Sequence, residues 1–291
     1  MAIVKRLLRA GAGVALTGAA TAISGPAWAQ GGPRDWQLNL MPAASPSMER
    51  ISEFHDLLLV IITLISLFVL GLLLYVMFRF SEKRNPTPSR TTHNTLLEVL
   101  WTTIPVIILV VIAVPSFRLL YYTDRVEDAE MTLKAIGHQW YWSYEYPDNG
   151  NFTFDSLIVP DEELEPGQPR LLTADTPVVL PVDTKIRLLI TAADVLHSFA
   201  LPAFGIKLDA VPGRTNETWV EITREGTYYG QCSEICGTGH AYMPIMVKAV
   251  SKEAFADWVA EAQQRFARVD GSARPESPDA PERLAQAPDT N

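Results

Sequence analysis

The stretch QCSEICGTGHAYMP, residues 231–244, contains both cysteines of the 291-residue chain, Cys232 and Cys236. His240 follows Cys236 by four residues, and Met243 follows His240 by three. The flanking segments 217–223 (ETWVEIT) and 241–250 (AYMPIMVKAV) read as β-strands, so the stretch predicts a loop between strands. Two cysteines at this spacing fit a disulfide, a redox dithiol or a metal site.

The region around this loop has the pattern of an all-β domain. Residues 131–146 (MTLKAIGHQWYWSYEY) are rich in β-forming residues, and residues 178–191 (VVLPVDTKIRLLIT) alternate like a half-buried strand. Pairs such as Pro166-Gly167 and Pro212-Gly213 predict turns between the segments. The spacing predicts a β-sandwich or small barrel, followed by one helix over 252–267 with Ser251 as its N-cap.

The run HQWYWSYEY, residues 138–146, contains five aromatic residues. If it is one strand, Trp140, Trp142, Tyr144 and Tyr146 share a face and Tyr141 points to the other side. Such a stripe is usually core, although one exposed tryptophan in it can instead contact a partner.

Two segments are long and apolar enough to cross a membrane. Residues 57–78 and 99–117 contain no charged residue, and each approaches or exceeds the roughly 20 residues that a span requires. Pro105 in the second is compatible with a membrane helix. Two long core helices are the alternative.

The charges flanking these segments predict their orientation. The connection between them contains Arg79, Lys83, Arg84 and Arg90, whereas the preceding arm has only two arginines. The excess of positive charge places the connection in the cytoplasm and everything after the second span outside it.

Residues 1–29 resemble a secretory signal peptide, which agrees with export. A basic start with Lys5, Arg6 and Arg9 precedes an apolar stretch that ends in Ala27-Trp28-Ala29. A third membrane helix is the alternative. The predicted organisation is a signal peptide (1–29), an N-terminal arm (30–52), a transmembrane hairpin (53–121), an all-β domain with its C-terminal helix (122–268) and a disordered tail (269–291).

The exported part is acidic. From residue 119 onward, 27 Asp and Glu oppose 14 Lys and Arg, a net charge of 14 − 27 = −13. This charge excludes nucleic acid as a favoured partner and favours a basic one, although solubility alone also accounts for it.

A metal site competes with the disulfide once the neighbouring residues are counted. In an oxidising compartment, two cysteines alone favour a disulfide. The chain adds His240 and Met243 in the loop and His197 upstream in VLHSFALP. Thiolates, imidazoles and a thioether form a soft ligand set suited to copper, and two bridging thiolates can hold two ions. His138 is more typical of a structural histidine.

The motif C-S-E-I-C-G-x-x-H-x-x-M, with H-S-F upstream, resembles the binuclear copper centre of cytochrome c oxidase subunit II. The likeness extends from about Leu57 to Ala267. It implies a two-helix transmembrane hairpin plus an all-β cupredoxin-like Greek-key sandwich. The implied copper residues are bridging Cys232 and Cys236, terminal His197 and His240, axial Met243, and the backbone carbonyl of Glu234.

The resemblance also implies the function. Such a subunit of a bacterial haem-copper oxidase accepts electrons from cytochrome c and passes them to haem in the catalytic subunit, where oxygen is reduced and protons are translocated. The copper domain would lie on the periplasmic side of the inner membrane. The chain lacks C-x-x-C-H, so no haem attachment on it is expected. The Glu234 carboxylate would bind magnesium at the subunit interface, whereas a solvated loop acid is the alternative.

Further residues match family positions. Trp140 corresponds to the electron-entry tryptophan, and Glu145 and Asp194 correspond to acids that dock a basic cytochrome c. Ala193 and Phe199 depart from residues common in the family, which leaves the docking surface less defined than the copper site.

Glu98 supports two interpretations. Residues 95–98 fit a capping box with Thr95 as the N-cap, in which Glu98 also favours the helix dipole. Its position three residues before Trp101 also matches the family glutamate at the mouth of a proton channel.

Three alternatives remain open from sequence. A membrane-anchored copper chaperone would have a thioredoxin-like βαβ fold. A quinol-oxidase subunit would share the hairpin and sandwich without the copper ligands. A binding domain closed by a disulfide would contain no metal.

Overall fold

The computed structural model describes residues 31–266. The predicted signal peptide, 1–29, and the predicted tail, 269–291, lie outside the described residues. Within the described range, two long helices precede a set of β-strands, and a shorter helix follows them.

The two long helices contain the predicted spans. Helix α1 covers Pro46–Arg79 and helix α2 covers Thr95–Asp124, so both extend beyond 57–78 and 99–117 at each end. The first turns of α1 fall within the predicted arm. The apolar stretches of α1 and α2 are not buried against the rest of the chain, so the alternative of two core helices is wrong.

Side chains cap both helix starts. Ser45 Oγ accepts a hydrogen bond from the Met48 amide at 3.0 Å and caps α1. The N-cap of α2 is Asn94, whose Oδ1 accepts from the Leu97 amide at 3.2 Å. The predicted capping box with Thr95 is therefore wrong, because the preceding asparagine takes the N-cap position and is among the strongest capping residues.

Within residues 31–266, ten strands form two five-stranded sheets. The strands are β1 (Met131–His138), β2 (Tyr141–Tyr146), β3 (Phe152–Ser156), β4 (Val178–Pro181), β5 (Lys185–Ala192), β6 (His197–Leu201), β7 (Ile206–Ala210), β8 (Asn216–Glu221), β9 (Gly226–Cys232) and β10 (Pro244–Val250). One sheet has the order β3-β2-β1-β5-β8 and the other β4-β10-β9-β6-β7. Strand β1 is parallel to β5 and β10 is parallel to β4, while the other neighbours are antiparallel.

This two-sheet arrangement confirms the predicted all-β sandwich, with its core between the sheets. Burial alternates residue by residue along β1 and β5, as one buried and one outer face require. Trp142, Tyr144 and Tyr146 of β2 are fully buried. Helix α3 (Lys252–Arg265) packs against this domain and is capped by Ser251, as predicted.

Two segments that look continuous in the sequence are divided. Residues 131–146 form β1 and β2 with a turn between them, so Trp140 precedes β2 and the single-strand expectation is wrong for it. Residues 178–191 form β4 in one sheet and β5 in the other. Asp183 between them adopts a left-handed conformation with φ of 50°, which changes the chain direction.

Aromatic contacts join the sandwich to the helix hairpin. The Trp219 indole of β8 donates to the Tyr122 carbonyl of α2 at 3.3 Å, and the two rings lie 5.3 Å apart, edge to face. The Arg50 guanidinium of α1 lies over the Tyr122 ring at 3.7 Å. One stack therefore connects both helices to β8 of the sandwich.

Tyr146→Phe is expected to lower the free energy of unfolding by about 1–3 kcal/mol. The Tyr146 hydroxyl donates to the Val179 carbonyl at 2.9 Å and accepts from the Val179 amide at 3.1 Å, which joins the two sheets. Denaturant unfolding measures the loss. Tyr144→Phe is the matched control: Tyr144 is equally buried, and its hydroxyl has no hydrogen-bond partner in the part of the chain that the structure describes. Equal losses in the two variants would contradict the inter-sheet role.

Candidate metal centre

Sheet register brings the predicted ligands together. Strand β9 ends at Cys232, and Phe199 of the neighbouring β6 is its paired residue. His197, which begins β6, therefore lies beside the cysteine. The loop 233–243 then returns the chain to β10, with His240 in a short helical turn and Met243 immediately before the strand.

Cys232 and Cys236 are buried free thiols. Their Sγ atoms lie 3.9 Å apart, whereas a disulfide requires about 2.05 Å. The disulfide that two cysteines alone would favour is not formed in this structure.

Further donor atoms lie beside each sulfur. His197 Nδ1 is 3.8 Å from Cys232 Sγ, and His240 Nδ1 is 3.6 Å from Cys236 Sγ. Met243 Sδ is 3.6 Å from Cys236 Sγ, and the Glu234 carbonyl oxygen is 3.3 Å from Cys232 Sγ. Each sulfur thus has one imidazole and one weaker donor next to it.

These separations fit atoms that share metal ions. With metal–nitrogen and metal–sulfur bonds of about 2.0 and 2.3 Å, two donors on one ion lie about 3.5–4 Å apart. The ligand atoms of His197, Cys232 and Cys236 all lie within 4.8 Å of one another. Because the set is soft and contains both thiolates and imidazoles, the residues present fit copper.

Electrostatics make the two thiols unequal. Burial raises the pKa of Cys232, but hydrogen bonds, foremost that with His197, outweigh it and lower the pKa well below its usual value. Burial also raises the pKa of Cys236, and the neighbouring Cys232 raises it further. Protein groups alone therefore favour one thiolate of the pair, and a bound cation would favour both.

Asp194 holds the His197 ring from the side away from the sulfur. Its Oδ1 lies 2.9 Å from His197 Nε2, so Nδ1 faces Cys232. The same carboxylate accepts hydrogen bonds from the backbone amides of Val195 and Gln139, each at 2.6 Å. Burial raises the pKa of Asp194, but these hydrogen bonds outweigh it and hold the pKa below its usual value. A carboxylate in this position fixes the tautomer and orientation of a metal-binding histidine.

Trp140 lies against the ligand loop. Its Nε1 donates to the Cys236 carbonyl at 3.2 Å, and Gln139 Nε2 donates to the same carbonyl at 2.8 Å. A Cβ atom added at Gly237 or Gly239 would lie within 3 Å of the indole, so the ring rests directly on the loop backbone. The indole is only half-buried, which leaves part of it accessible from outside.

Comparisons with known proteins identify the family. The family model described as cytochrome c oxidase subunit II, periplasmic domain, matches residues 131–250, and the corresponding transmembrane-domain model matches residues 33–119. A probable cytochrome c oxidase subunit 2 of Rickettsia bellii is 51% identical over 240 residues, which cover 82% of this chain and 89% of that protein. The chain belongs to the cytochrome c oxidase subunit II family.

Two proteins of known structure are also similar to this chain in sequence. The periplasmic domain of subunit II of cytochrome oxidase from Bradyrhizobium japonicum is 55% identical and covers 49% of this chain and 100% of that chain, with a TM-score of 0.47. A subunit II captured in a mixed disulfide intermediate with a thioredoxin-like protein is 54% identical and covers 49% of this chain and 97% of that chain, with a TM-score of 0.44.

Membership confirms the resemblance stated from the motif. The chain is a subunit of a haem-copper oxidase, an oxidoreductase complex. It is a two-span membrane protein whose helices α1 and α2 form the membrane domain.

Glu145, Glu98 and His138 lie outside the set of donor atoms around the two sulfurs. Glu145 of β2 is half-buried and forms an ion pair with Lys134 at 3.3 Å. Glu98 is near the start of α2, about 36 Å along that helix from Tyr122 at the sandwich. His138 stacks on Tyr141 with ring centroids 4.5 Å apart, and its pKa is lowered by burial, as suits a structural histidine.

Sequence reasoning missed Gln139 and the hydrogen bond between Asp194 and His197. Gln139 lies in the run 138–146, but the signal in that run comes from its aromatic residues, and the contacts of Gln139 with Asp194 and Cys236 join residues far apart in the chain. For Asp194 the sequence did offer a signal, because a carboxylate three residues before a ligand histidine can turn back onto the ring.

Proposed function

We propose that this subunit accepts electrons from cytochrome c at a pair of copper ions and passes them to haem in the catalytic subunit. The main support is the buried pair of free thiols, 3.9 Å apart, with an imidazole beside each. Bound copper would supply a one-electron carrier between the two haem proteins. The proposed ligands are bridging Cys232 and Cys236, terminal His197 and His240, and weakly bound Met243 and Glu234 carbonyl.

The site is suited to relaying electrons rather than to converting a substrate. All proposed donors are protein atoms, and both sulfurs are buried, so no ligand position is reserved for a substrate. Oxygen reduction and proton translocation would therefore take place in the partner subunit, and this chain would carry no haem.

Trp140 is the proposed entry point for electrons. Its partly accessible indole can contact a donor, and its Nε1–H reaches the backbone of Cys236. Asp194, with a third of its side chain exposed, lies next to this entry point through Gln139, and Glu145 is the second proposed docking acid. The negative charge of the domain would attract a basic cytochrome c.

Glu234 is the proposed link to the catalytic subunit. Its carbonyl lies by Cys232, whereas the residue as a whole is exposed. A carboxylate suits magnesium, which prefers hard oxygen ligands. The ion would then lie between the copper loop and the next subunit.

The membrane arrangement follows from the charged flanks. We propose that the connection between α1 and α2 is cytoplasmic and that the sandwich lies on the periplasmic side of a bacterial inner membrane. Glu98 is then at the cytoplasmic end of α2, where a proton channel would open.

Glu98→Gln is expected to slow turnover of the assembled oxidase about tenfold, because an amide cannot deliver a proton. The copper spectrum should be unchanged, since Glu98 is at the far end of α2. Steady-state oxygen consumption measures the effect. Glu82→Gln, the same change at an exposed acid in the connection, is the control. Wild-type turnover in Glu98→Gln would remove the channel role.

A thiol-reducing partner is part of the proposal. In an oxidising compartment, Cys232 and Cys236 can form a disulfide, which would block copper binding. A thioredoxin-like dithiol would reduce that disulfide by thiol exchange and become oxidised itself. A relative in this family has been captured in a mixed disulfide with such a protein.

Each alternative function meets an opposing observation. The copper chaperone requires a thioredoxin-like βαβ fold, whereas this domain is an all-β sandwich. The quinol-oxidase subunit would lack the copper ligands, whereas all six donor residues are present at the site. The disulfide-closed domain would bind no metal, whereas here both thiols are free and each has a histidine nitrogen beside it.

Metal analysis of the purified full-length chain in detergent tests the proposal. Two copper ions per chain are expected, with an electron resonance signal from one unpaired electron shared between both ions. One copper or none per reduced and reconstituted chain would contradict it.

A further inference from the structure

Gln139 is hydrogen-bonded to both loops that carry the proposed copper ligands. Its backbone N–H donates to Asp194 Oδ2 at 2.6 Å, and Asp194 Oδ1 contacts His197 Nε2 at 2.9 Å. Its side-chain Nε2–H donates to the Cys236 carbonyl at 2.8 Å. One residue outside the ligand set thus connects a histidine-bearing loop to the cysteine-bearing loop.

The cysteine-bearing loop needs such support. It contains Gly237 and Gly239, and Gly237 has a φ of 121°, which only glycine adopts readily. Few backbone bonds lie within it, among them His240 to Gly237 at 3.2 Å and Tyr242 to Gly239 at 2.9 Å. The Cys236 carbonyl lies between the first cysteine and these turns, and side chains from the β1–β2 turn hold it.

The same contacts hold Trp140 in place. Trp140 follows Gln139 directly, and its Nε1 shares the Cys236 carbonyl as acceptor at 3.2 Å. The indole is therefore held in two ways: by its own hydrogen bond to the Cys236 carbonyl, and by the preceding residue, whose backbone is bonded to Asp194.

We infer that Gln139 is a positioning residue that locks the two ligand loops and Trp140 into one rigid unit before metal binds. This role rests on the proposed copper site for its purpose. Its mechanical part, the linking of the loops, exists without metal. Gln139 would therefore reduce how far the two ligand loops and Trp140 must move when copper binds or an electron enters, without contacting copper itself.

Gln139→Met tests the role. Methionine keeps the length of the side chain and loses the donor, and the backbone bond to Asp194 remains. In the metal-free full-length chain, amides of residues 236–242 are expected to exchange with deuterium about five- to tenfold faster, the factor that loss of one hydrogen bond produces. Amides of β1 and β5 should not change, which shows that the variant is folded.

Gln263→Met is the matched control. Gln263 Nε2 donates to the Asn149 carbonyl at 2.7 Å, the same kind of bond to a loop far from the ligands. This variant should leave exchange at 236–242 unchanged.

The copper-loaded chain gives a second readout. Gln139→Met should still bind two copper ions, but the splitting of the electron resonance signal should change because the ligand loop is less constrained. Unchanged exchange at 236–242, or an exchange increase equal to that of the control, would overturn the inference. A wild-type chain that binds no copper pair would instead remove the proposed function and leave the exchange result interpretable.

Discussion

Replacing Cys236 by serine is expected to abolish the shared-electron copper signal and to reduce cytochrome c oxidation by the assembled enzyme at least about 100-fold, or about 2.7 kcal/mol. Cys236 Sγ lies within 4 Å of Cys232 Sγ, His240 Nδ1 and Met243 Sδ, so its loss removes a donor from the centre of the site. A serine hydroxyl stays protonated and is a hard donor, so it cannot replace a bridging thiolate. Electron resonance, metal analysis and turnover measure the loss.

The control is Thr238→Ala. Thr238 is an exposed residue of the same loop, and its substitution should preserve two copper ions and their signal. A Cys236→Ser variant that keeps two coppers and the unaltered signal would exclude this cysteine as a bridge.

Trp140→Phe is expected to slow reduction of the copper pair by cytochrome c about 100-fold while copper content stays the same. The smaller ring loses the Nε1–H that donates to the Cys236 carbonyl and no longer covers Gly237 and Gly239. The contact between the outside of the domain and a ligand backbone is then lost, although no copper ligand is removed. Stopped-flow mixing of reduced cytochrome c with the oxidase measures the rate.

Two controls separate electron entry from general damage. A small chemical reductant that reaches copper without Trp140 should reduce the variant at the wild-type rate. Tyr141→Phe changes a half-buried neighbour that stacks on His138, and it should alter the rate by less than a factor of about two. If Trp140→Phe were reduced at the wild-type rate by cytochrome c, electrons would enter elsewhere.

The helices were the most predictable part of this fold. Long uncharged apolar runs leave little choice of structure in a membrane, and only the helix ends differed from expectation. The strands were less predictable, because residues 178–191 keep a strand-like pattern across Asp183, where the chain changes sheets. Strand β7, with five residues, has too few alternating residues to be recognised, and the sequence of β9, GTYYGQC, does not alternate apolar and polar residues.

The candidate site also has a part that the sequence predicts and a part that depends on the fold. Cys232, Cys236, His240 and Met243 were predictable because they lie in one loop, with spacing that carries chemical meaning. That His197 would join them depends on the register of β6 against β9, which spacing alone does not define. The role of Gln139 could not be predicted, because its backbone amide contacts Asp194, 55 residues away in the sequence, and its side chain contacts Cys236, 97 residues away.

The Arg50–Tyr122–Trp219 stack has a consequence for how the complex tolerates different membranes. Because it ties both helices to β8 at the helix ends nearest the sandwich, a thicker or thinner bilayer would move hairpin and sandwich as one body along the membrane normal. The height of the sulfur pair above the lipid is then set by helix length within this chain. The distance from the sulfur pair to a haem in the catalytic subunit would then stay constant only if that subunit moved by the same amount. A change in bilayer thickness would therefore have to shift both subunits together.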